Sequence, residues 1–161
     1  MTIAAPLDQH REHVRPEWID YNGHMNVAYY VLVFDHGTDA LFDVLDIGAG
    51  YRRRTNCSLF AMQSHVSYLA EVKEGDELRV TTQFLGFDDK RIHFFHRMYH
   101  VGEGYLAATS ELLGLHVDLS RRRAAPFPED VRARLSGCAA AHAGLPRPPE
   151  LGRVIALKGN G

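Results

Sequence analysis

Cysteine is scarce in this chain. Of 161 residues only Cys57 and Cys138 carry a thiol, too few for the disulfide framework of a small secreted domain and not spaced as zinc ligands. A surplus of either charge is also missing: 18 Lys and Arg stand against 20 Asp and Glu, a formal net charge of −2. Bulk electrostatics therefore supplies no attraction to nucleic acid or to an anionic membrane. No apolar run approaches the roughly 18 residues of a membrane-spanning helix. Met1 to Gln9 lacks the basic stretch and apolar run of a secretory signal. There is no glycine-rich phosphate loop and no internal repeat. These absences leave a soluble, cytoplasmic protein as the expectation, with no nucleic-acid or membrane partner, no nucleotide cofactor and no metal.

The length suits one compact domain, able to bury roughly 70% of its unfolded surface. His10 to Val14 reads as an edge strand stopped by Pro16. Val27, Tyr30, Val31, Phe34, Thr38, Leu41, Phe42 and Leu45 fall at helical spacing and predict a long helix with one buried face. Asp35, Asp39 and Asp43 form an acidic stripe on the opposite face, and Gly48 and Gly50 end the helix or begin a turn. From Cys57 the period changes to two. Strands are predicted over Cys57–Tyr68, Asp76–Gly86, Arg91–Val101 and Tyr105–Asp118, with Leu78, Val80, Thr82 and Phe84 on one side of the second. Pro126 and Pro128 open a helix from Glu129 to about Ala141, which closes a domain of residues 1–141. The remaining segment, 142–161, is rich in Pro and Gly. Four sequential long strands predict an antiparallel meander covered by the long helix, an α+β arrangement whose exposed edges call for oligomerisation.

Asp20 to Tyr30, reading Asp-Tyr-Asn-Gly-His-Met-Asn-Val-Ala-Tyr-Tyr, is the most informative stretch. It sets a carboxylate in a glycine-containing turn directly ahead of the long helix. The first N–H groups of a helix have no partner within it and lie at the positive end of its dipole. A carbonyl held there is polarised while the carboxylate acts on it, which points to acyl chemistry. Asp20 is then a general base, a nucleophile, or only a cap for the helix. Gly23 permits a positive φ in the turn. The N–H of His24 or of Met25 is a candidate oxyanion donor, while the His24 imidazole either orients Asp20, meets solvent or simply packs. Asn26 either positions water or a carbonyl, or satisfies the helix end.

The element order, with Asp20-x-x-Gly23-His24-x-Asn26 and Tyr30, resembles the hot-dog-fold acyl-CoA thioesterases of the 4-hydroxybenzoyl-CoA thioesterase class, from about His13 to Leu135. The segments Tyr68 to Asp76 and Val117 to Leu119 support the likeness. Glu17 to Asn26, His93 to His100 and Leu115 to Leu119 look most like the betainyl-CoA thioesterases of carnitine breakdown. The resemblance implies a long central helix wrapped by a curved antiparallel sheet of about five strands. It implies hydrolysis of an acyl-CoA at sites between subunits of a homodimer or homotetramer, and Asp20 matches the family aspartate. It also leaves open a thioesterase for long-chain or aromatic acyl groups, or a non-catalytic ligand-binding or assembly domain.

Around that motif, Trp18, Tyr21, Tyr29 and Tyr30 either present aromatic faces to a trimethylammonium group or form core. Met25 joins them as a substrate-side residue. His65 either faces the helix and lines the acyl pocket or sits half exposed on its strand. Glu111 shares a face with Leu113 and Leu115, as an acid supporting the site or as an interface charge. Arg121, Arg122 and Arg123 are candidates for the CoA phosphates, against the alternative of a solvated basic loop. His93, His96, His100 and His116 lack the accompanying carboxylate spacing of a metal site.

Overall fold

A computed structural model describes residues 3–157. The chain runs as β1 (Leu7–His13), a 3-10 turn (Pro16–Trp18), α1 (Val27–Val44), α2 (Ala49–Thr55), β2 (Cys57–Tyr68), β3 (Glu77–Phe87), β4 (Arg91–His100), β5 (Leu106–Asp118), β6 (Arg123–Ala124) and α3 (Glu129–His142). The strands form one antiparallel sheet in the order β1-β3-β4-β5-β2, with the short β6 paired to β5. This is an α+β fold in which a curled sheet wraps the long helix α1.

The predicted elements are present, with two corrections. The segment from Gly48 onward is a short helix, α2, and not simply a turn. The meander holds only for β3, β4 and β5. Strand β2 pairs with β5 from Cys57↔Asp118 to Tyr68↔Ala108 and so becomes the far edge of the sheet. The side of β3 that β2 would need is occupied by β1, from Leu7↔Thr82 to His13↔Glu77.

Helix α1 begins where Asn26 caps it, the side-chain oxygen accepting from Ala28 N–H at 3.0 Å. Its buried face is Tyr30, Val33, Phe34, Gly37, Thr38 and Leu41. The expected stripe is therefore rotated at its start: Val27 and Val31 are 56% and 46% exposed in the single chain. Asp35, Asp39 and Asp43 are exposed, as their pattern predicts. Gly37 lets the helix approach β3 closely, since a Cβ there would lie 2.8 Å from Val80 Cγ1. Leu78, Val80, Thr82 and Phe84 are all buried on one side of β3.

His96 sits under the middle of α1, fully buried. Its Nε2 meets Thr38 Oγ1 at 2.9 Å, its Nδ1 meets Thr82 Oγ1 at 2.8 Å, and its ring stacks on Phe34 at 5.8 Å. Burial pushes its pKa down to about 3, so it serves as a neutral tie between helix and sheet. No helix among the described residues is long and apolar enough to cross a membrane.

Candidate active site

Asp20 lies in a tight turn closed by its own backbone. Asp20 N–H donates to His24 O at 3.2 Å and Gly23 N–H to Asp20 O at 3.0 Å, while Ile19 and Met25 form an antiparallel bridge. Gly23 takes φ +80°, a conformation costly for any residue with a Cβ. One carboxylate oxygen accepts from Asn22 N–H at 2.8 Å and the other from the Asn26 side-chain amide at 3.1 Å. Asn26 therefore does two things at once: its oxygen caps α1 and its NH₂ group holds Asp20. The cap expected as an alternative role for Asp20 belongs to Asn26.

Two backbone donors at this helix start are free. Neither His24 N–H nor Val27 N–H has an acceptor among the described residues. Met25 N–H, the other sequence candidate, is taken by Val72 O at 2.9 Å. His24 and Val27 border a cavity of about 240 Å³, whose wall continues through Met25, Tyr30, Tyr68, Leu69, Ala70 and Glu71. The half-buried Asp20 carboxylate lies in the turn beside this cavity and outside its wall in the single chain. The His24 imidazole turns toward Glu71, with Nε2 3.7 Å from Oε2, and its buried Nδ1 has no partner. It does not orient Asp20.

The aromatic residues divide. Trp18 is 3% exposed, stacked on Tyr29 at 5.3 Å, with Arg15 over its ring at 5.2 Å; it is core and offers no open face to a ligand. Tyr21 stands 98% exposed at the tip of the turn. Tyr30 is buried, donates its hydroxyl to Ala70 O at 3.1 Å, and is pushed up to about 12 chiefly by that burial. It remains a neutral phenol that still contributes to the cavity wall. Tyr68 meets it edge-on at 5.3 Å. Tyr68, Glu71 and Val27 N–H were not singled out from sequence; the likeness of the Tyr68 to Asp76 segment was the available signal, but only pairing places it against α1.

His65 and Glu111 lie elsewhere. The register sets His65 opposite Glu111 and Glu111 opposite Phe95. Successive strand residues alternate faces, and Phe94 meets Phe42 of α1, so Phe95, Glu111 and His65 point away from the helix. Of the two readings of His65, the half-exposed strand histidine is the one found, and it does not face α1. Both residues line a separate cavity of about 790 Å³ with His93 and Gly152. There Glu111 accepts from the His93 ring at 2.9 Å and from Gly152 N–H at 2.7 Å, which outweighs its partial burial and lowers its pKa.

Arg121 and Arg122 are exposed in the β5–β6 turn and Arg123, also exposed, opens β6; Asp118 accepts from the Arg121 and Ser120 N–H groups. That turn adjoins the Cys57 end of β2, whereas the cavity adjoins the Tyr68 end. The eleven steps from Cys57 to Tyr68 at about 3.3 Å each separate them by roughly 36 Å within one chain. The one group of three potential metal ligands among the described residues is none of the four histidines weighed above. It is His10, Glu12 and His36, where the Glu12 carboxylate accepts from both rings.

With this geometry in place, comparison with known proteins is decisive for the family. Residues 14–135 match the model of the thioesterase-like superfamily. The chain belongs to that superfamily. It is 45% identical over 155 residues to the betainyl-CoA thioesterase of Pseudomonas aeruginosa, covering 96% of this chain and 98% of that one. It is also 36% identical to an L-carnitine dehydrogenase/betainyl-CoA thioesterase of Rhizobium meliloti, where it spans 98% of this chain and 32% of the relative. Among solved structures, a Staphylococcus aureus protein in complex with CoA superposes with a TM-score of 0.84 at 27% identity, covering 98% of this chain and 99% of that chain. A candidate thioesterase of Pseudomonas putida gives 0.82 at 38%, with coverage of 97% and 99%. In this fold His24, Met25 and Val27 at the start of α1 border the small cavity, and Asp20 lies in the turn that precedes them.

Proposed function

We propose that this chain hydrolyses a short acyl-CoA, with betainyl-CoA the favoured substrate, to the free acid and CoA. The observation that supports this most is the Asp20 carboxylate fixed by Asn26 next to a helix start whose His24 and Val27 N–H groups are unpaired. The thioester oxygen accepts from one or both of those amides, which stabilise the negative charge that develops as the carbonyl carbon becomes tetrahedral. Asp20 either takes a proton from the attacking water or attacks the carbon itself, giving an anhydride that water then opens. In both courses the C–S bond breaks, the CoA thiolate takes up a proton, and the acid is released. The match to the betainyl-CoA thioesterase of Pseudomonas aeruginosa supports the choice of acyl group.

A cavity of about 240 Å³ is smaller than sites that enclose a whole ligand. The site is completed by a second copy. Strand β2 is a long edge whose Phe60 and Met62 are 48% and 55% exposed, and such an edge is a template for pairing. Two β2 strands paired antiparallel about a two-fold axis bring the Cys57 end of one beside the Tyr68 end of the other. The partner's basic turn then reaches this chain's cleft, and Arg121, Arg122 and Arg123 serve the CoA phosphates across the seam. A cytoplasmic location accords with the two free cysteines.

Release of free thiol from a panel of betainyl-, benzoyl- and palmitoyl-CoA tests the reading. Highest kcat/KM for betainyl-CoA is expected; no release from any of the three would remove the hydrolase assignment.

A further inference from the structure

The cleft at the start of α1 holds one carboxylate that hydrolysis does not use. Glu71, just beyond β2, lines it with His24, Val27, Tyr30 and Tyr68. Its backbone is held from two sides: Tyr105 donates its hydroxyl to Glu71 O at 2.7 Å, and Tyr30 donates to Ala70 O at 3.1 Å. The carboxylate itself is paired only loosely and at the surface. The nearest cationic groups are His24 Nε2 at 3.7 Å and Lys73 Nζ at 3.8 Å, and the Glu71 and Lys73 side chains are both mostly exposed, a pairing that contributes little. Past Ala70 and Glu71 the surface runs into a second depression carrying Lys73, Asp76, His100 and Glu103, where His100 Nε2 lies 3.3 Å from the Asp76 carboxylate.

A loosely paired acid lining a cleft that must admit an acyl-CoA favours an acyl end that is positive. It repels the phosphates of the same substrate and gives nothing to a hydrocarbon chain. We infer that Glu71, together with the exposed Tyr68 ring, recognises the cationic end of a quaternary-ammonium acyl group. Trp18 is excluded from this role because its ring is already covered by Tyr29 and Arg15. The resulting polarity matches a substrate with a cation at one end and phosphates at the other: Glu71 beside the helix start, arginines brought by the second copy. This inference rests on the hydrolase reading above and names the residue that sets its acyl specificity.

The test compares kcat/KM for betainyl-CoA and for its uncharged isostere 3,3-dimethylbutyryl-CoA, in the wild type and in Glu71→Gln. The wild type prefers the cation. Glu71→Gln lowers kcat/KM for betainyl-CoA by about 10- to 100-fold, mainly through KM, and changes the isostere by less than about threefold; Glu71→Asp restores part of the preference. An equal fall for both substrates, or no fall for the cation, overturns the inference. A wild type that hydrolyses the isostere but not the cation sinks it alone. One that hydrolyses neither removes the hydrolase reading and this inference with it.

Discussion

Asn26 ties the helix start to the carboxylate proposed as catalytic, because one amide caps α1 with its oxygen and holds Asp20 with its nitrogen. Asn26→Ala should therefore fail twice. Loss of the cap lowers stability by about 1 kcal/mol, readable by chemical denaturation, and release of Asp20 lowers kcat about 10-fold or more. A stability loss with kcat intact would separate the two roles and deny the second. From sequence, Asn26 was legible as a helix end or a site residue, but its double role was not, because spacing does not say which way each end of an amide points. The same limit applied to Trp18: its position by the motif was plain, while the stacking that covers its ring depends on Tyr29 and Arg15 meeting in space.

His96 shows what a single buried group does to the pH profile. Its folded pKa of about 3 lies below the ordinary histidine value near 6.5. The unfolded chain thus binds a proton that the folded chain refuses. The stability linked to His96 is present above about pH 6.5 and is lost as pH falls toward about 3, at a limiting slope of about 1.4 kcal/mol per pH unit. His142, also lowered by burial, adds in the same direction. Denaturation midpoints between pH 7 and pH 4.5 should fall less steeply for His96→Asn than for the wild type; parallel profiles would contradict this account.

At the scale of elements, the strands and helices were written into periodicity, and Cys57–Tyr68 appears as β2 with the expected bounds. Alternation reports that a segment is a strand but not which neighbour it takes. The placement of β2 beside β5 follows from β1 having occupied the edge of β3, a competition between distant segments. Helix α2 was missed because its seven residues carry a Gly and three arginines in place of an apolar stripe. Where α1 crosses β3, contact is set by Gly37. Gly37→Ala should cost about 1–3 kcal/mol through overpacking against Val80, measured as a lowered denaturation midpoint. An unchanged midpoint would mean that helix and sheet have slack there.

The whole molecule presents Val27, Val31, Phe60 and Met62 as exposed apolar side chains, which single-chain patterning could not explain for α1 and which the proposed second copy would cover. If β2 edges pair, Met62→Lys should yield a folded monomer with little activity, seen by sedimentation; an active monomer would refute the shared site. Mixed dimers refine the point. Subunits with Asp20→Asn and subunits with Arg121, Arg122 and Arg123 all changed to Ala are each impaired alone. Mixed in equal amounts they should recover about a quarter of wild-type turnover, because half the dimers then hold one intact site. No recovery would place the arginines and Asp20 in the same subunit's site.

All of this depends on the carboxylate at position 20. Single-turnover hydrolysis of betainyl-CoA by Asp20→Asn, which preserves the shape of the side chain, is the direct measurement. The rate should fall by about 1,000-fold or more with the circular dichroism spectrum unchanged. A rate within about threefold of the wild type, from an equally folded variant, would contradict the account.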